Sequence, residues 1–209
     1  QATCYRILKT LERADWIRRN EDDGYDLSAG LLPIAKRLVD VERSARAVQP
    51  LLQQLAEDHS LTAKLSLRLG IEQTTLAVAQ PRQAFNVAAP VGSRYPVVWG
   101  ASGAALLSQL TDEQIDELIE SVPASDWGHE QAQDLWERIQ RVRKKGVCDN
   151  IGLHPKGIDT IAAPIASWAA PCAITLIGLR GDITTSRLSK LRAALVDAAG
   201  QASAVLSGV

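Results

Sequence analysis

Apolar and polar side chains alternate with the period of an α-helix over the first twelve residues. The apolar positions recur at i, i+3, i+4 and i+7, which places them on one helix face: Cys4, Ile7, Leu8 and Leu11. A basic strand-like segment at residues 16–20, a turn at Gly24 and a returning strand at residues 25–27 follow. This order predicts half of a winged helix-turn-helix, a DNA-binding domain. Because a recognition helix packs on a preceding helix, we expect about one or two further helices before residue 1.

An amphipathic pattern continues through residues 28–47 and predicts a connecting helix. A second helix is expected to begin at Pro50, because proline fits the first position of a helix. The chain is therefore predicted to contain a partial DNA-binding domain, a linker helix and a larger domain, at residues 1–28, 29–47 and 48–209. The linker carries a stripe that is too apolar to face water alone and predicts self-association, formed by Leu31, Leu32, Ala35, Leu38 and Val39.

The larger domain shows the patterns of a sheet and several helices. Strict alternation over residues 62–69 predicts a half-buried strand, with the leucines on one face and Lys64, Ser66 and Arg68 on the other. Further strands are predicted at residues 74–79, 84–88, 95–99, 147–148, 157–165 and 173–179. Helices are predicted at residues 101–109, 111–121 and 132–145, and from about residue 184 onward. Antiparallel hairpins with helices on one side of the sheet indicate an α+β fold.

Composition and charge narrow the possible classes of protein. Three cysteines without a CxxC pair suit a reducing compartment better than a disulfide framework, and no metal site is indicated. The longest apolar run, residues 158–179, is interrupted by Asp159, Pro164 and Pro171, so no membrane span is expected. With no visible signal peptide, we predict a cytoplasmic protein. The net charge is only −1, yet the first 19 residues carry five cations against two carboxylates, so the positive charge is local.

Five segments, taken in their order and spacing, resemble the isocitrate-lyase-regulator (IclR) family of bacterial transcription regulators along essentially the whole chain. They are residues 2–11 (ATCYRILKTL), 24–28 (GYDLS), 91–96 (VGSRYP), 100–110 (GASGAALLSQL) and 157–165 (GIDTIAAPI). The resemblance implies a winged helix-turn-helix whose N-terminal part is missing from this chain, a linker helix, and an effector-binding domain with a GAF-like curved antiparallel sheet. It also implies a homodimer or a dimer of dimers on a pseudo-palindromic double-stranded DNA operator.

The candidate DNA-binding residues lie on the first helix and the basic strand. Short polar groups reach base edges, whereas arginine and lysine neutralise phosphates. The predicted set is Gln1, Thr3, Tyr5, Arg6, Lys9, Arg18 and Arg19. Two plainer interpretations stay open: Arg6 solvates a helix face, and the two strand arginines form an ordinary solvated charge pair.

The resemblance also assigns two walls of an effector pocket. The first consists of Trp99, Gly100, Ala101 and Ser102, where small residues leave the amides of a helix start open and so favour a carboxylate. The second wall consists of Asn150, Ile158, Thr160, Thr175 and Ile177. The hydroxyls of Ser102, Thr160 and Thr175 would select among ligands by accepting or donating hydrogen bonds.

This chain departs from the family pattern at three places in that pocket. Family members commonly carry His-Ala where this chain has Val98 and Trp99, an acidic residue near Asn150, and serine at the position of Ile177. The pocket is therefore expected to be more apolar and less anionic, and to take a small organic acid whose carboxylate meets the amides of Ala101 and Ser102. Trp99 either stacks on the ligand or fills the cavity. The glycines of residues 100–103 could equally serve tight helix packing.

The pattern does not favour an enzyme. Neither Cys148 nor Cys172 has a histidine and an orienting carboxylate nearby in sequence, and His154 is isolated. Ser102 lies in a segment similar to a nucleophile elbow, but Ala104 stands where that turn needs glycine. We therefore predict a transcription regulator without a cofactor or metal. The alternative is a soluble small-molecule-binding protein or minor enzyme whose first helix binds a protein partner instead of DNA.

Overall fold

The computed structural model describes residues 2–83, 85–153, 156–166 and 170–207, apart from the side chains of Ala2 and residues 34–40. The chain divides into two compact units, residues 1–43 and 44–209. One helix, α2 (Leu32–His59), begins in the first unit and ends in the second.

The first unit contains a helix and a two-stranded hairpin, in the order that the sequence predicts. Helix α1 spans Ala2–Arg13, and strands β1 (Ile17–Arg19) and β2 (Tyr25–Leu27) pair in antiparallel register. The turn between the strands is closed by the Gly24 amide, which donates to Asn20 Oδ1 over 2.7 Å. A short 3-10 helix, Ala29–Leu31, leads into α2.

The apolar face of α1 is open rather than buried. Ile7 is 55% exposed and Cys4 is also exposed, while Leu8 and Leu11 are only half-buried. The helices expected before residue 1 would cover these side chains, so burial of this face stays a prediction.

Helix α2 is continuous, whereas the sequence predicts a second helix starting at Pro50. A proline inside a helix removes one N–H donor and crowds a carbonyl of the preceding turn. Pro50 lies on the exposed side, and the buried side chains of Val48 and Leu52 fix the helix on either side of it. Burial of those neighbours outweighs the local cost.

Three members of the predicted self-association stripe, Ala35, Leu38 and Val39, have side chains outside the described part, so the homo-oligomer stays a prediction.

The second unit is built on a six-stranded antiparallel sheet in the order β5-β4-β3-β8-β7-β6. Its strands are β3 (Thr62–Leu69), β4 (Glu72–Ala79), β5 (Arg94–Pro96), β6 (Cys148–Asn150), β7 (Ile158–Ile165) and β8 (Cys172–Leu179). Strand β3 lies near the middle and carries a bulge between Leu65 and Ser66. Such irregularities bend a strand and help a sheet to curve.

Two predicted strands differ from the observed ones. The strand predicted at residues 84–88 is absent from residues 85–88, and residue 84 lies outside the described chain. The Val87 carbonyl accepts a hydrogen bond of 2.8 Å from the Thr62 hydroxyl rather than from a neighbouring strand, so this segment is an irregular loop. The strand predicted at residues 95–99 is shorter, because Trp99 already caps the start of the next helix.

Helices cover both faces of the sheet, so the expected one-sided arrangement is wrong. Helices α2 and α6 (Thr185–Ser207) pack on one face, where Leu65 and Ile161 are fully buried. Helices α3 (Gly100–Leu107), α4 (Asp112–Ser121) and α5 (Ala132–Lys145) belong to a second core on the other face, with Ala162. Alternate residues of the central strands thus enter different cores. The polar face of β3 is covered as well, and Lys64 and Ser66 are buried rather than facing solvent.

Candidate effector cavity and nucleic-acid surface

A cavity of about 110 Å³ lies in the second unit, on the face of the sheet that carries α3. Strands β3, β4, β7 and β8, the start of α3, Tyr95 of β5 and the loop before β5 contribute to its wall. The residues that line it are Lys64, Gln73, Val87, Ala88, Ala89, Tyr95, Trp99, Gly100, Ser102, Ile158, Thr160 and Ile177. Six of the nine sequence-predicted effector residues are in this set: Trp99, Gly100, Ser102, Ile158, Thr160 and Ile177.

The other three predicted residues lie behind the wall. Ala101, Asn150 and Thr175 are fully buried and do not line the cavity. The Asn150 side-chain nitrogen would lie 3.8 Å from a Cβ atom on Gly100, so it supports that backbone from behind. Thr175 is the neighbour of Lys64 across β3 and β8, and its hydroxyl has no hydrogen-bond partner within the described chain.

The start of α3 is held by hydrogen bonds from within the chain. Gly100 has a φ of +67°, a left-handed conformation that glycine adopts at little cost. Its amide donates to Glu130 Oε1 over 3.3 Å, and the Ala101 amide donates to Thr160 Oγ1 over 3.4 Å. Glu130 is itself paired with the buried Arg138 over 2.5 Å.

One of these bonds uses an amide from the carboxylate position expected from the sequence. That position, at the amides of Ala101 and Ser102, would place a ligand anion beside a carboxylate that the chain already supplies. Arg138 already balances the charge of that carboxylate, so the direct obstacle to a ligand anion is competition with the Thr160 hydroxyl for the Ala101 amide. The amides of Gly100 and Ala101 thus already have acceptors within the chain, and a ligand carboxylate at Ala101 and Ser102 stays a prediction.

Lys64 is a functional candidate that the sequence reasoning missed. It is only 5% exposed, and its amine lies 5.3 Å from the centre of the Tyr95 ring. Within the part of the chain that the structure describes, Lys64 forms no ion pair with a carboxylate. Burial lowers the pKa of Lys64 from 10.5 to about 8, because the interior disfavours the charged form. The alternation of β3 identifies the face of this lysine but gives no sign that the face is covered.

Gln73 and Trp99 give the cavity fixed polar and aromatic walls. The Gln73 amide nitrogen donates to the carbonyls of Pro96 and Trp99 over 3.1 and 3.3 Å, while its side-chain oxygen has no partner within the described chain. The Trp99 indole N–H donates to the Asp126 carbonyl over 2.7 Å. The ring is therefore held against the cavity and leaves about 110 Å³ open beside it. Whether it stacks on a ligand stays a prediction.

The two cysteines singled out in the sequence lie in the interior of the second unit. Cys148 and Cys172 are buried, and burial raises the pKa of both thiols, that of Cys148 to about 12. A thiol that stays protonated is a poor nucleophile. His154 lies outside the described residues. No group of three or more possible metal ligands occurs among the residues that are described.

The predicted DNA-binding residues of the first unit are exposed: Thr3, Tyr5, Arg6, Lys9, Arg18 and Arg19. Gln1 lies outside the described residues. Lys9 forms an ion pair of 2.7 Å with Glu12, and Arg19 forms one of 3.1 Å with Asp23. Exposed pairs of this kind contribute little to stability.

Comparison with known proteins identifies the family. The family model described as bacterial transcriptional regulator IclR C-terminal matches residues 38–204. The chain belongs to the IclR family. This match covers the whole described cavity and most of the second unit, and it confirms the resemblance read from the sequence motifs.

Individual relatives of this IclR-family protein are similar over almost the full chain. The acetate operon repressor of Salmonella typhimurium is 23% identical and covers 99% of the chain, which spans 78% of the relative. The transcriptional repressor IclR of Escherichia coli is 22% identical, with 100% and 79% covered. The solved structure of an IclR transcriptional regulator from a Silicibacter species superposes with a TM-score of 0.82 at 23% identity, covering 100% of this chain and 84% of that one.

These relatives are regulators of transcription rather than enzymes, and the IclR-family chain is a transcription regulator. Its mixed α and β fold with a curved antiparallel sheet is the fold of the matching structure. Among its described helices, none is long and apolar enough to cross a membrane.

Proposed function

We propose that this IclR-family protein is a one-component repressor in the bacterial cytoplasm, with a DNA-binding first unit and a second unit that binds a small organic acid. The observation that carries the proposal is the cavity, which unites six of the predicted effector residues within the family domain. Repression of transcription, rather than activation, is supported by the names of the Salmonella and Escherichia coli relatives, both of which are called repressors.

In this proposal, α1 and the hairpin belong to a winged helix-turn-helix, and the second unit is a GAF-like sensor that acts as a homodimer or a dimer of dimers. A ligand controls such a protein only if it binds the operator-binding and released states with different affinities. Helix α2 offers a continuous connection, because it carries Leu52 against the sheet face opposite to the cavity and extends into the first unit.

Replacing Arg6, Arg18 and Arg19 together by alanine is expected to weaken operator binding by the natural full-length protein. Each phosphate contact that is lost should reduce the slope of log affinity against log salt by about 0.9. Thr3→Ala should instead weaken the operator more than unrelated DNA, because a hydroxyl at a base edge reads sequence. Fluorescence anisotropy at several salt concentrations measures both effects.

The control for this prediction is Arg82→Ala, which removes a cation that is 92% exposed and lies in the second unit. That variant should bind DNA as the wild type does. Equal operator affinity and an equal salt slope in the triple variant would show that α1 and the hairpin do not contact DNA.

A small organic acid is expected to stabilise the protein and to change the fluorescence of Trp99, which lines the cavity. A ligand at about 100 times its dissociation constant adds about 2.7 kcal/mol to the free energy of unfolding. A panel of aliphatic acids of three to five carbons, with benzoate as a larger member, should be screened by thermal shift and calorimetry.

Ser102→Val should weaken the binding of acids from this panel, because the serine lines the cavity. Ser186→Val is the matched control, since Ser186 is exposed on α6. If no acid binds the wild type, or if Ser102→Val binds each acid unchanged, the cavity is not the effector site.

A further inference from the structure

We infer that Lys64 is the anion-recognition group of the cavity, and that the effector is therefore a short monocarboxylate whose carboxylate meets the Lys64 amine. The inference rests on the proposed function, because it takes the cavity as the effector site. Lys64 takes the role that the sequence pattern assigned to the start of α3, because the amides of Gly100 and Ala101 already have acceptors.

Lys64 carries a buried charge that no described carboxylate balances. An ammonium group taken out of water without a counter-charge is unfavourable, and buried charges are normally paired. Lys64 is 5% exposed, lines the cavity and has no carboxylate partner within the described chain. The Tyr95 ring, 5.3 Å from the amine, supplies a weak attraction that leaves the charge itself uncompensated. A ligand carboxylate in the cavity would supply the missing partner.

The described wall of the cavity offers a single charge to a ligand. Among the described residues that line the cavity, Lys64 is the only one that carries a charge. A single carboxylate would pair with it, whereas a second carboxylate on the same ligand would be buried against apolar groups such as Ile158 and Ile177. Burying an unpaired charge is costly, so a dicarboxylate should be rejected.

The volume of the cavity is compatible with a short carboxylate. A cavity of about 150 Å³ is large enough to hold benzene. The present cavity measures about 110 Å³, which is room enough for a carboxylate on a chain of three to five carbons. The apolar part of such a chain would lie against Val87, Ile158 and Ile177, which line the cavity.

The charge state of Lys64 makes the inference testable by pH. Burial lowers its pKa to about 8, and a bound carboxylate would raise it again. The other titratable group among the described lining residues is Tyr95 of β5. The neighbouring elements contribute uncharged side chains, which are Gln73 of β4, Thr175 of β8 and Ser102 of α3. Affinity for a carboxylate should therefore be constant below about pH 8 and fall by up to about tenfold per pH unit above it, as the free protein loses the proton.

The closing experiment compares butanoate with butanamide, which has the same shape without the charge. Calorimetry is run on the full-length wild type, on Lys64→Met, and on Lys145→Met, a matched change at an exposed position on α5. We expect Lys64→Met to bind butanoate about ten- to a hundredfold more weakly, the loss typical of a hydrogen bond to a charged group. Binding of butanamide should stay within about threefold of the wild type, and Lys145→Met should match the wild type for both compounds.

Different results would refute the role of Lys64 and the role of the cavity as the effector site. If butanoate binds Lys64→Met as tightly as the wild type, Lys64 is not the anchor, although the cavity remains the effector site. If neither compound nor any acid of the panel binds the wild type, the proposed effector cavity itself is refuted. The pH series uses only the wild type, so it decides the inference even if Lys64→Met fails to fold. A butanoate affinity that does not change between pH 7 and pH 10 would refute it.

Discussion

Replacing Glu130 by alanine is expected to lower the free energy of unfolding by about 3–5 kcal/mol, the usual loss when one partner of a buried ion pair is removed. Glu130 and Arg138 lie 2.5 Å apart, and their side chains are 3% and 1% exposed. Without the carboxylate, the Arg138 charge would stay buried and unpaired, and the Gly100 amide would lose its acceptor. Chemical denaturation followed by circular dichroism measures the change.

The exposed pair of Glu72 and Arg94, 3.2 Å apart with side chains 42% and 61% exposed, provides the control. Glu72→Ala should change the free energy of unfolding by less than about 1 kcal/mol, because solvent screens such a pair. The double variant Glu130→Leu with Arg138→Met should recover much of the lost stability, since no buried charge then remains. A loss below about 1 kcal/mol for Glu130→Ala would mean that the pair is not buried as described.

Replacing Gly103 by alanine is expected to cost at least about 3 kcal/mol of stability, at the upper end of the range for overpacking a filled core. A Cβ atom at this position would lie 1.9 Å from the Val97 carbonyl oxygen and 3.0 Å from its carbon. Both contacts are with backbone, so helix α3 would have to move away from the segment that leads into it. The same movement would displace Gly100 and Ser102 from the cavity wall, so binding of acids should weaken too.

Gly200→Ala is the matched control for this substitution. Gly200 also lies within a helix, α6, but a Cβ atom there would meet nothing within 4 Å. Alanine at this position should stabilise the protein by about 0.5–1 kcal/mol, because glycine is the poorer helix former. If both variants had the same midpoint of thermal unfolding, the close packing of α3 on Val97 would be disproved.

Elements with local signals were predicted closely. Residues 132–145 form α5 and residues 62–69 form β3, as their periodicities indicate. The capping box at the start of α4 is present, with the Gln114 amide donating to the Thr111 hydroxyl over 3.3 Å and the Thr111 amide donating to Gln114 Oε1 over 3.1 Å. Such elements depend on neighbours within a few residues, and the sequence shows those neighbours directly.

Elements that depend on distant partners were predicted less well. Pro50 is a helix breaker by its local chemistry, yet α2 continues through it because Val48 and Leu52 are buried. Residues 85–88 have the composition of a strand, but the Val87 carbonyl is bonded to the Thr62 side chain. In both places a contact with a residue far along the chain outweighs the local preference.

The sequence by itself determined the family, the order of most elements and half of the residues that line the cavity, because motif spacing and periodicity are properties of the chain alone. It also determined that Lys64 shares a face of β3 with Ser66, since side chains on a strand alternate. Only the tertiary structure decided that this face is buried, because the helices that cover it follow much later in the chain. Alternation shows which residues share a face, but only packing shows whether that face meets water. Packing therefore makes Lys64 the one charged group among the described residues of the cavity wall, where the sequence alone indicates a surface lysine.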